Sequence, residues 1–548
     1  MNGADAIVEI LRREGVDTAF CFPISNLQEA MARAGLRVVM ARQERVAGNM
    51  ADGMSRATWG RKIGVFSVQQ SAGSENAFSP IAHARTDNSA MLFLPGHYGI
   101  DAIGKTPTFD SLDNYAGTLK FGTRLYLERQ IQEKLRRAFV ALRSGRPGPV
   151  MVEILSEAVR AEFSGELDYR PVEPIRMAPD QGAVEAAADL IEQARCPLIW
   201  SGSGVKWARA SAGLVELAET SGTPVMTTLM GKGGFPEDHP LAAGVGALTA
   251  TAMADHYLES CDVLLTIGSS LSQSSFTPTV PAGKKMIQCN VSAGELHKNY
   301  PAEVAVQADA GLFIAALNQE LESRGREQFA ARGRAARENL AALRKRQLAE
   351  YEAEFNDSGT PINGYRLFAE LWRQLQSRPS TLLHESGTSR DIQAPFYVTR
   401  EPEDYLGWGQ STQLGFSLGA AMGAKLATPD RWIVNAMGDA AVGMTAMDWE
   451  TAAREQIPIT TVVKHDSKFS GYADNHIPES AARFGSDTAD GDYAAVARAL
   501  GCVGIRVTDP GDIGPALERA ARANSEGQPA VLDVITKPTT RLPRRRVG

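Results

Sequence analysis

The sequence predicts an α/β protein made of three consecutive domains, each built on a doubly wound parallel sheet. Short apolar runs that end in turn residues alternate with helix-like segments along most of the chain. This alternation is typical of parallel strands that helices cover on both faces. The length of 548 residues exceeds what a single core usually holds, so several domains are expected.

The N-terminal domain is predicted at residues 1–165. It opens with an amphipathic helix that ends at Gly15. Residues 62–68, 90–96 and 148–154 are its clearest strands, because each is a short apolar run bounded by turn residues.

The central domain is predicted at residues 180–325 as a Rossmann-like unit. Its first strand ends in a turn with glycines at 202 and 204, and residues 263–268 and 286–291 indicate two further strands. A G-x-G turn without a third glycine is a weak sign of dinucleotide binding. A bound nucleotide and a plain turn therefore both stay open.

A charged and alanine-rich segment, residues 326–358, contains almost no glycine or proline. It is predicted to form a helical linker with a solvated face.

The third domain is predicted at residues 359–548, where residues 431–437, 457–463 and 531–535 are the clearest strands.

Charge and hydropathy argue against two classes of partner, nucleic acid and membrane. A net charge of −7 makes nucleic acid a poor partner, and no apolar stretch has the length of a membrane span. The basic run at residues 541–546 is interpreted as a solvated terminus. The other hypothesis is that it binds a phosphate-bearing substrate such as an acyl-CoA. Five scattered cysteines without a C-x-x-C pair favour a reducing cytoplasm over a disulfide framework or a zinc site.

Two aspartates at neighbouring strand ends predict a metal site in the third domain. Asp439 follows an apolar strand and enters a helix, and Asp466 ends the next strand. Ligands collect at the carboxyl ends of parallel strands, and a helix N-terminus attracts phosphate. Two close carboxylates repel unless a cation lies between them, and Mg²⁺ prefers such oxygens. A helix-capping role for Asp439 is the alternative.

These residues, together with three further segments, resemble thiamine diphosphate-dependent enzymes of the acetolactate synthase and oxalyl-CoA decarboxylase-like superfamily. The segments are the glycine-rich residues 407–424 and, near the start of the chain, residues 41–45 and 51–56. The resemblance covers nearly the whole chain. It implies an N-terminal domain that binds the pyrimidine ring of the coenzyme and a C-terminal domain that binds its diphosphate and Mg²⁺.

The resemblance also assigns the diphosphate end of the coenzyme. The implied metal ligands are Asp439, Asp466 and the backbone carbonyl of Lys468. The residues implied to hold the diphosphate are Gly438, Asp439, Ala440, Ala441 and His465. Two departures from the family pattern stand out: Ala440 replaces the last glycine of Gly-Asp-Gly, and His465 with Asp466 replaces an Asn-Asn pair. His465 either offers the diphosphate a hydrogen bond or a positive charge, or marks the place where the site was lost.

Glu44 is implied to be the catalytic residue at the pyrimidine end. Alone, a glutamate between Arg42 and Arg45 is most often part of a surface ion pair. In the family, the matching glutamate bonds the aminopyrimidine ring and promotes the tautomer that activates the coenzyme, which requires a dry pocket and a raised pKa. Leu414 matches the apolar residue that wedges between the two rings, and Thr412 would offer its carbonyl to the amino group.

The substrate end is less well defined. Gln70 lies in a loop that departs from the family pattern, and it is expected either to face the reacting carbon or to be a buried structural residue. His97, His384 and His476 are candidate acid–base groups, although lone histidines are more often structural. Asn290 stands where nucleotide-binding members have an aspartate that binds ribose, which argues against bound ADP or FAD.

The resulting hypothesis is a Mg²⁺- and thiamine diphosphate-dependent lyase, decarboxylase or carboligase. Its substrate would be a 2-oxo acid or a 2-hydroxyacyl or 2-oxoacyl thioester. The resemblance implies active sites at a subunit interface of a homodimer or homotetramer. Two alternatives are a non-catalytic relative that serves as scaffold or partner subunit, and a flavin-dependent oxidase on the same fold.

Overall fold

The computed structural model describes residues 1–274, 276–469 and 476–543. It confirms the predicted fold class: three α/β domains follow one another, each with one sheet of six strands. All strand pairs that these residues form within the three sheets are parallel.

The N-terminal domain has helices on both faces of its sheet. The strands are β1 (Thr18–Phe22), β2 (Arg37–Met40), β3 (Gly64–Val68), β4 (Met91–His97), β5 (Phe121–Leu125) and β6 (Pro149–Leu155). The helices are α1 (Gly3–Arg13), α2 (Gln28–Arg33), α3 (Glu44–Thr58), α4 (Ala72–Asn76), α5 (Phe78–Asp87), α6 (Ser111–Tyr115), α7 (Ile131–Arg143) and α8 (Ser156–Arg160). The strand order is β2-β1-β3-β4-β6-β5.

The central domain has the Rossmann strand order. Its strands are β7 (Pro197–Ser201), β8 (Val225–Thr227), β9 (Ala242–Val245), β10 (Val263–Ile267), β11 (Lys285–Asn290) and β12 (Val304–Gln307). Its helices are α9 (Gln181–Gln193), α10 (Ser203–Trp207), α11 (Ser211–Ser221), α12 (Ala252–Ser260) and α13 (Ala310–Ser323). In the order β12-β11-β10-β7-β8-β9, the direction of winding reverses between β7 and β10, and such a reversal opens a ligand crevice at the strand ends.

The linker forms α14 (Glu327–Glu350) and α15 (Glu352–Phe355). The long helix has a buried face as well as a solvated one, since Phe329 and Ala336 belong to the core of the central domain. At the end of the chain, Arg541 pairs with Glu350 and Glu354 and lies over the ring of Tyr351. This part of the basic run is therefore bound to the linker, and residues 544–546 of the run lie outside the described residues.

The C-terminal domain repeats the topology of the N-terminal domain. Its strands are β13 (Ser380–His384), β14 (Tyr405–Leu406), β15 (Trp432–Gly438), β16 (Thr460–His465), β17 (Val503–Val507) and β18 (Ala530–Ile535). Its helices are α16 (Gly364–Gln376), α17 (Thr388–Phe396), α18 (Phe416–Ala427), α19 (Asp439–Thr445), α20 (Trp449–Arg454), α21 (Pro478–Phe484), α22 (Tyr493–Ala499) and α23 (Ile513–Ser525). The order β14-β13-β15-β16-β18-β17 places a winding reversal between β13 and β15.

Helices α3 and α18 join the N-terminal and C-terminal domains within one chain. A Cβ atom on Gly53 would overlap the backbone of Ala420, and one on Gly423 would overlap the backbone of Met50. The two helices can therefore approach this closely only because both glycines lack a side chain. Buried side chains of the two domains form one continuous apolar core around this contact.

Among the helices of the described ranges, none combines the length and the apolar character that a bilayer crossing demands. All five cysteines are free thiols, and four of them are buried.

A buried carboxylate at this domain contact predicts a pH-dependent stability. Asp448 is fully buried, and its Oδ1 accepts the Arg42 N–H and the Thr451 hydroxyl, both at 2.8 Å. Burial raises the pKa of Asp448 from 3.8 to about 6. The folded protein thus binds this proton more tightly than the unfolded chain does. The stabilisation that protonated Asp448 contributes is therefore complete below pH 3.8 and is lost as the pH rises through 6.

We therefore expect Asp448→Asn, which keeps the Oδ1 acceptor, to stabilise the protein by about 1–3 kcal/mol at pH 8. The gain should shrink as the pH falls toward 4. Urea denaturation midpoints across this pH range measure the effect, with the exposed Asp430→Asn as control. A gain in stability that is the same at pH 4 and pH 8 would contradict the raised pKa of Asp448.

Candidate active site

The candidate site lies at the carboxyl ends of the central strands of the C-terminal sheet. Gly438 ends β15, Asp439 begins α19, and His465 ends the neighbouring strand β16. Ala440 and Ala441 belong to the first turn of α19, whose N–H groups are free to meet an anion. A Cβ atom on Gly438 would meet only open space, so the start of this helix leaves room for a ligand.

Asp439 carries a buried acidic oxygen that is available to a cation. Its Oδ2 accepts the backbone N–H of Asp466 at 3.2 Å. Its Oδ1 is buried and has no hydrogen-bond partner among the residues that the structure describes. Burial raises the pKa of Asp439 to about 6; His465 opposes this shift, and the nearby Asp466 carboxylate adds to it. A bound cation would relieve the cost of burying this oxygen.

His465 is held by carboxylates on both ring nitrogens. Its Nδ1 lies 2.7 Å from Asp533 Oδ1, and its Nε2 lies 2.9 Å from Asp490 Oδ1 and 3.6 Å from Asp439 Oδ1. Burial alone would lower the pKa of His465, but the bonds to Asp533 and Asp490 and the charge of Asp439 raise it. Carboxylates on both ring nitrogens therefore favour the positively charged form of the imidazole.

Asp466, the second predicted metal ligand, already has a cationic partner. Lys464 Nζ donates to Asp466 Oδ2 at 2.6 Å, and the backbone N–H of Lys468 approaches Asp466 Oδ1 at 3.3 Å. The Lys468 side chain is exposed and pairs with Asp487 instead. The residues of the described ranges contain no group of three or more His, Cys, Asp or Glu side chains suited to a metal. Two carboxylates nevertheless fit Mg²⁺, which usually completes its shell with phosphate and water oxygens.

Glu44 begins α3 and is buried, with only 3% of its surface exposed. Burial raises the pKa of its carboxyl group, although its own backbone N–H and Asn76 lower it. Asn76 Nδ2 donates to Glu44 Oε2 at 3.4 Å. Burial and a raised pKa are what the resemblance to the family implies for this glutamate, which would act in a dry pocket.

The residues beside Glu44 reach the C-terminal domain of the same chain. The Arg45 guanidinium donates to the Leu414 carbonyl at 2.5 Å, and Gln43 approaches the Met444 carbonyl at 3.4 Å. Leu414 is partly buried against the core shared by the two domains, while Thr412 is exposed. The structure thus brings the start of α3 next to the segment that carries Leu414.

Glu385 is a buried residue that the sequence analysis missed. It follows β13 at the winding reversal, and its Oε2 accepts the N–H groups of Gly415 and Ser417 and the Ser417 hydroxyl at 3.0–3.1 Å. Oε1 accepts the Ser386 N–H at 3.0 Å. This carboxylate fixes the turn immediately after Leu414. A single glutamate after an apolar strand was the only signal for it in the sequence.

A second missed network holds the segment that leads to Thr412. Arg56 forms a bidentate ion pair with Asp52 and also donates to Asp87 at 3.1 Å. Asp87 Oδ2 accepts the Gly409 N–H and Asp87 Oδ1 accepts the Gln410 N–H, both at 3.0 Å. An N-terminal aspartate thus positions the glycine-rich segment of the C-terminal domain.

The candidate substrate residues lie on the N-terminal sheet. Gln70 follows β3 and is partly exposed, and a Cβ atom on Gly96 would lie 3.6 Å from its Oε1. His97 ends β4, and neither of its buried ring nitrogens makes a hydrogen bond within the described ranges. His384 stacks on Tyr405, and burial lowers its pKa to about 3, so it is neutral and structural. The structure places His476 just before α21.

A cavity of about 720 Å³ lies where the three domains meet. Its floor is the winding reversal of the central sheet, where the glycine turn of residues 202–204 contacts Gly268. Asn290 lines the cavity, but its side chain already bonds the Ser269 carbonyl and the Ser292 N–H. Gln410, two residues before Thr412, also lines the cavity. The cavity therefore extends from the central domain to the glycine-rich segment.

Three domain families match the chain in the order of its three sheets. They are the N-terminal TPP binding domain of thiamine pyrophosphate enzymes at residues 1–116, the central domain at residues 184–317 and the C-terminal TPP binding domain at residues 385–534. The carboxylates described above lie in the first and third of these matches.

Similar proteins cover nearly all of the chain. A probable acetolactate synthase large subunit of Methanocaldococcus jannaschii is 28% identical over 99% of this chain and 93% of its own length. An acetolactate synthase large subunit of Parasynechococcus marenigrum is 29% identical over 93% of this chain and 84% of its own length. A glyoxylate carboligase of Escherichia coli O157:H7 is 27% identical over 99% of this chain and 94% of its own length.

Proposed function

Because the chain belongs to the thiamine pyrophosphate (thiamine diphosphate) enzymes and is an enzyme of the acetolactate synthase type, we propose that it makes or breaks a carbon–carbon bond next to a carbonyl group. The proposed substrates are 2-oxo acids or 2-hydroxyacyl or 2-oxoacyl thioesters, and the proposed metal is Mg²⁺. The observation that carries this proposal is the buried Oδ1 of Asp439, which accepts no hydrogen bond from the described residues and lies at a helix start beside Asp466.

In the proposed mechanism each residue binds, orients or moves a proton. Bound thiamine diphosphate supplies the electron sink for cleavage or formation of the bond. Asp439, Asp466 and the Lys468 carbonyl would hold Mg²⁺ at the diphosphate end of the coenzyme. His465 adds positive charge near the diphosphate. Gly438, Ala440 and Ala441 leave the start of α19 open to it.

At the other end of the coenzyme, Glu44 would bond the pyrimidine ring and exchange a proton with it. A raised pKa suits this task because the carboxyl group must both give and take a proton near neutral pH. Leu414 would set the angle between the two rings, and Thr412 would accept a hydrogen bond from the amino group. Gln70 is proposed to face the reacting carbon of the substrate.

The three-domain cavity supports the thioester branch of the proposal. Arg61 and Arg209 line it, and the exposed Arg61 guanidinium lies 4.0 Å from Glu403. A nucleotide-bearing thioester could place its phosphates near these cations and its acyl group toward Gln410. Competition between 2-oxo acids and acyl-CoA compounds for the enzyme distinguishes a 2-oxo acid substrate from a thioester substrate.

A homodimer or homotetramer is proposed as the active assembly. Large apolar side chains are exposed near both halves of the site, including Ile24, Tyr98, Met444 and Met447, and such surface is typical of a subunit contact. Free thiols in all five cysteines support a reducing compartment, the cytoplasm, as the proposed location.

Calorimetric titration of the metal-stripped protein with thiamine diphosphate, with and without Mg²⁺, tests the proposal. We expect Mg²⁺-dependent binding by the wild type and a loss of that binding in Asp439→Ala, because the variant removes the buried cation ligand. Asp430→Ala, at an exposed position of the same domain, is the control. Absence of binding by the folded wild type would instead support the alternative of a scaffold that lost the coenzyme at His465 and Asp466.

A further inference from the structure

Lys464 is the next-to-last residue of β16, and its ammonium group lies inside the proposed metal site. Only 2% of its side chain and 2% of that of Asp466 are exposed. Lysine is rarely buried unless it is paired, and here the Nζ atom lies 2.6 Å from Asp466 Oδ2. The carboxylate that should bind the metal therefore already holds a cation.

The charges of the site explain why a lysine is needed there. The family pattern has a neutral asparagine at position 466, and Asp466 adds one negative charge beside Asp439. A buried carboxylate without a partner is costly, and Lys464 neutralises this one directly. Its alkyl chain is held in place at α16, where a Cβ atom on Gly364 would lie 3.0 Å from Lys464 Cε.

We propose that Lys464 is a built-in counter-ion, which occupies Asp466 in the protein without metal and which the divalent cation must displace in order to bind. This inference rests on the proposed function, because it assumes that Asp439 and Asp466 bind the cation. Displacement leaves a buried ammonium group without its carboxylate, so the metal alone binds weakly. The diphosphate supplies the missing negative charge, so metal and coenzyme bind together far better than either does alone.

Titration calorimetry with Mn²⁺ and Mg²⁺, each with and without thiamine diphosphate, tests this coupling. Lys464→Met removes the competing charge, and we expect it to bind Mn²⁺ alone about tenfold or more tightly than the wild type does. The advantage should become smaller when thiamine diphosphate is present. Lys425→Met is the matched control, because Lys425 lies in the same domain and its Nζ donates to the backbone carbonyls of Pro429 and Arg431.

A second variant covers a failure of Lys464→Met to fold. Lys464→Gln keeps a hydrogen-bond donor for Asp466 and removes only the charge, so it should also bind Mn²⁺ alone more tightly. An affinity equal to or weaker than that of the wild type, in whichever variant folds, would overturn the inference. Weaker binding of thiamine diphosphate without tighter binding of Mn²⁺ would also overturn it, because Lys464 would then act on the coenzyme and not on Asp466.

These measurements distinguish a failure of the proposed function from a failure of the counter-ion role of Lys464. If the wild type does not bind thiamine diphosphate with Mg²⁺, the proposed function is wrong. If the wild type binds both and neither lysine variant gains affinity for the metal, only the counter-ion inference is wrong.

Discussion

Glu44→Gln is expected to lower kcat by about 10²–10⁴-fold while the protein remains folded and binds thiamine diphosphate nearly as well as the wild type does. Glutamine has the same size and keeps an oxygen for the Asn76 side chain, which lies 3.4 Å from Glu44 Oε2. It cannot exchange a proton with the pyrimidine ring. The loss should therefore fall on kcat rather than on the affinity for the coenzyme.

Steady-state kinetics on the best substrate, together with calorimetric coenzyme binding, measure this split. Glu75→Gln is the matched control, since Glu75 is exposed and lies in α4 next to Asn76. A Glu44→Gln enzyme with a kcat close to that of the wild type would show that Glu44 is not the proton-exchanging group. A variant that loses coenzyme binding to the same extent as kcat would assign Glu44 a binding role.

Arg56→Met is expected to destabilise the fold by about 3–5 kcal/mol, because it removes one partner of a buried ion pair and leaves charge uncompensated. Arg56 is buried and its partners Asp52 and Asp87 are each about 1% exposed. Methionine keeps most of the volume of the arginine stem, so the lost charge rather than a cavity dominates. Coenzyme affinity should fall as well, because Asp87 also holds the Gly409 and Gln410 N–H groups.

Urea denaturation and calorimetric binding of thiamine diphosphate measure both effects. Arg61→Met is the matched control, since Arg61 is exposed and lies 4.0 Å from Glu403; exposed pairs of this kind contribute about 0–1 kcal/mol. Equal denaturation midpoints for the two variants would contradict a structural role for the Arg56 network.

The difference between these two arginines shows the limit of sequence reasoning. Arg56 lies in the last turn of α3 and Arg61 lies just after that helix. The local sequence does not distinguish one charged residue from the other. Arg56 is buried only because α3 packs on α18, which lies more than 350 residues later in the chain. A buried charge network depends on which distant segments meet, and no local pattern encodes that.

His465 and Lys464 make the same point at the metal site. The sequence showed that His465 and Asp466 depart from the family pattern, and it left open whether the site survives. Alternation along a strand predicts that neighbouring side chains lie on opposite faces. It does not predict which residues those side chains contact. The structure gives His465 the carboxylates of Asp533 and Asp490, and it gives Asp466 the ammonium group of Lys464.

The sequence by itself determined the fold class, because apolar runs with turn boundaries are local signals that survive without knowledge of contacts. It also placed Asp439 at a strand end for the same reason, whereas Glu44 was singled out by the resemblance to the family. Only the tertiary structure decided that Glu385 holds the turn after Leu414 and that Asp87 holds Gly409. It alone revealed that Lys464 neutralises Asp466. Each of these depends on burial and on contacts between distant segments, which arise when the domains pack and polar groups must find partners.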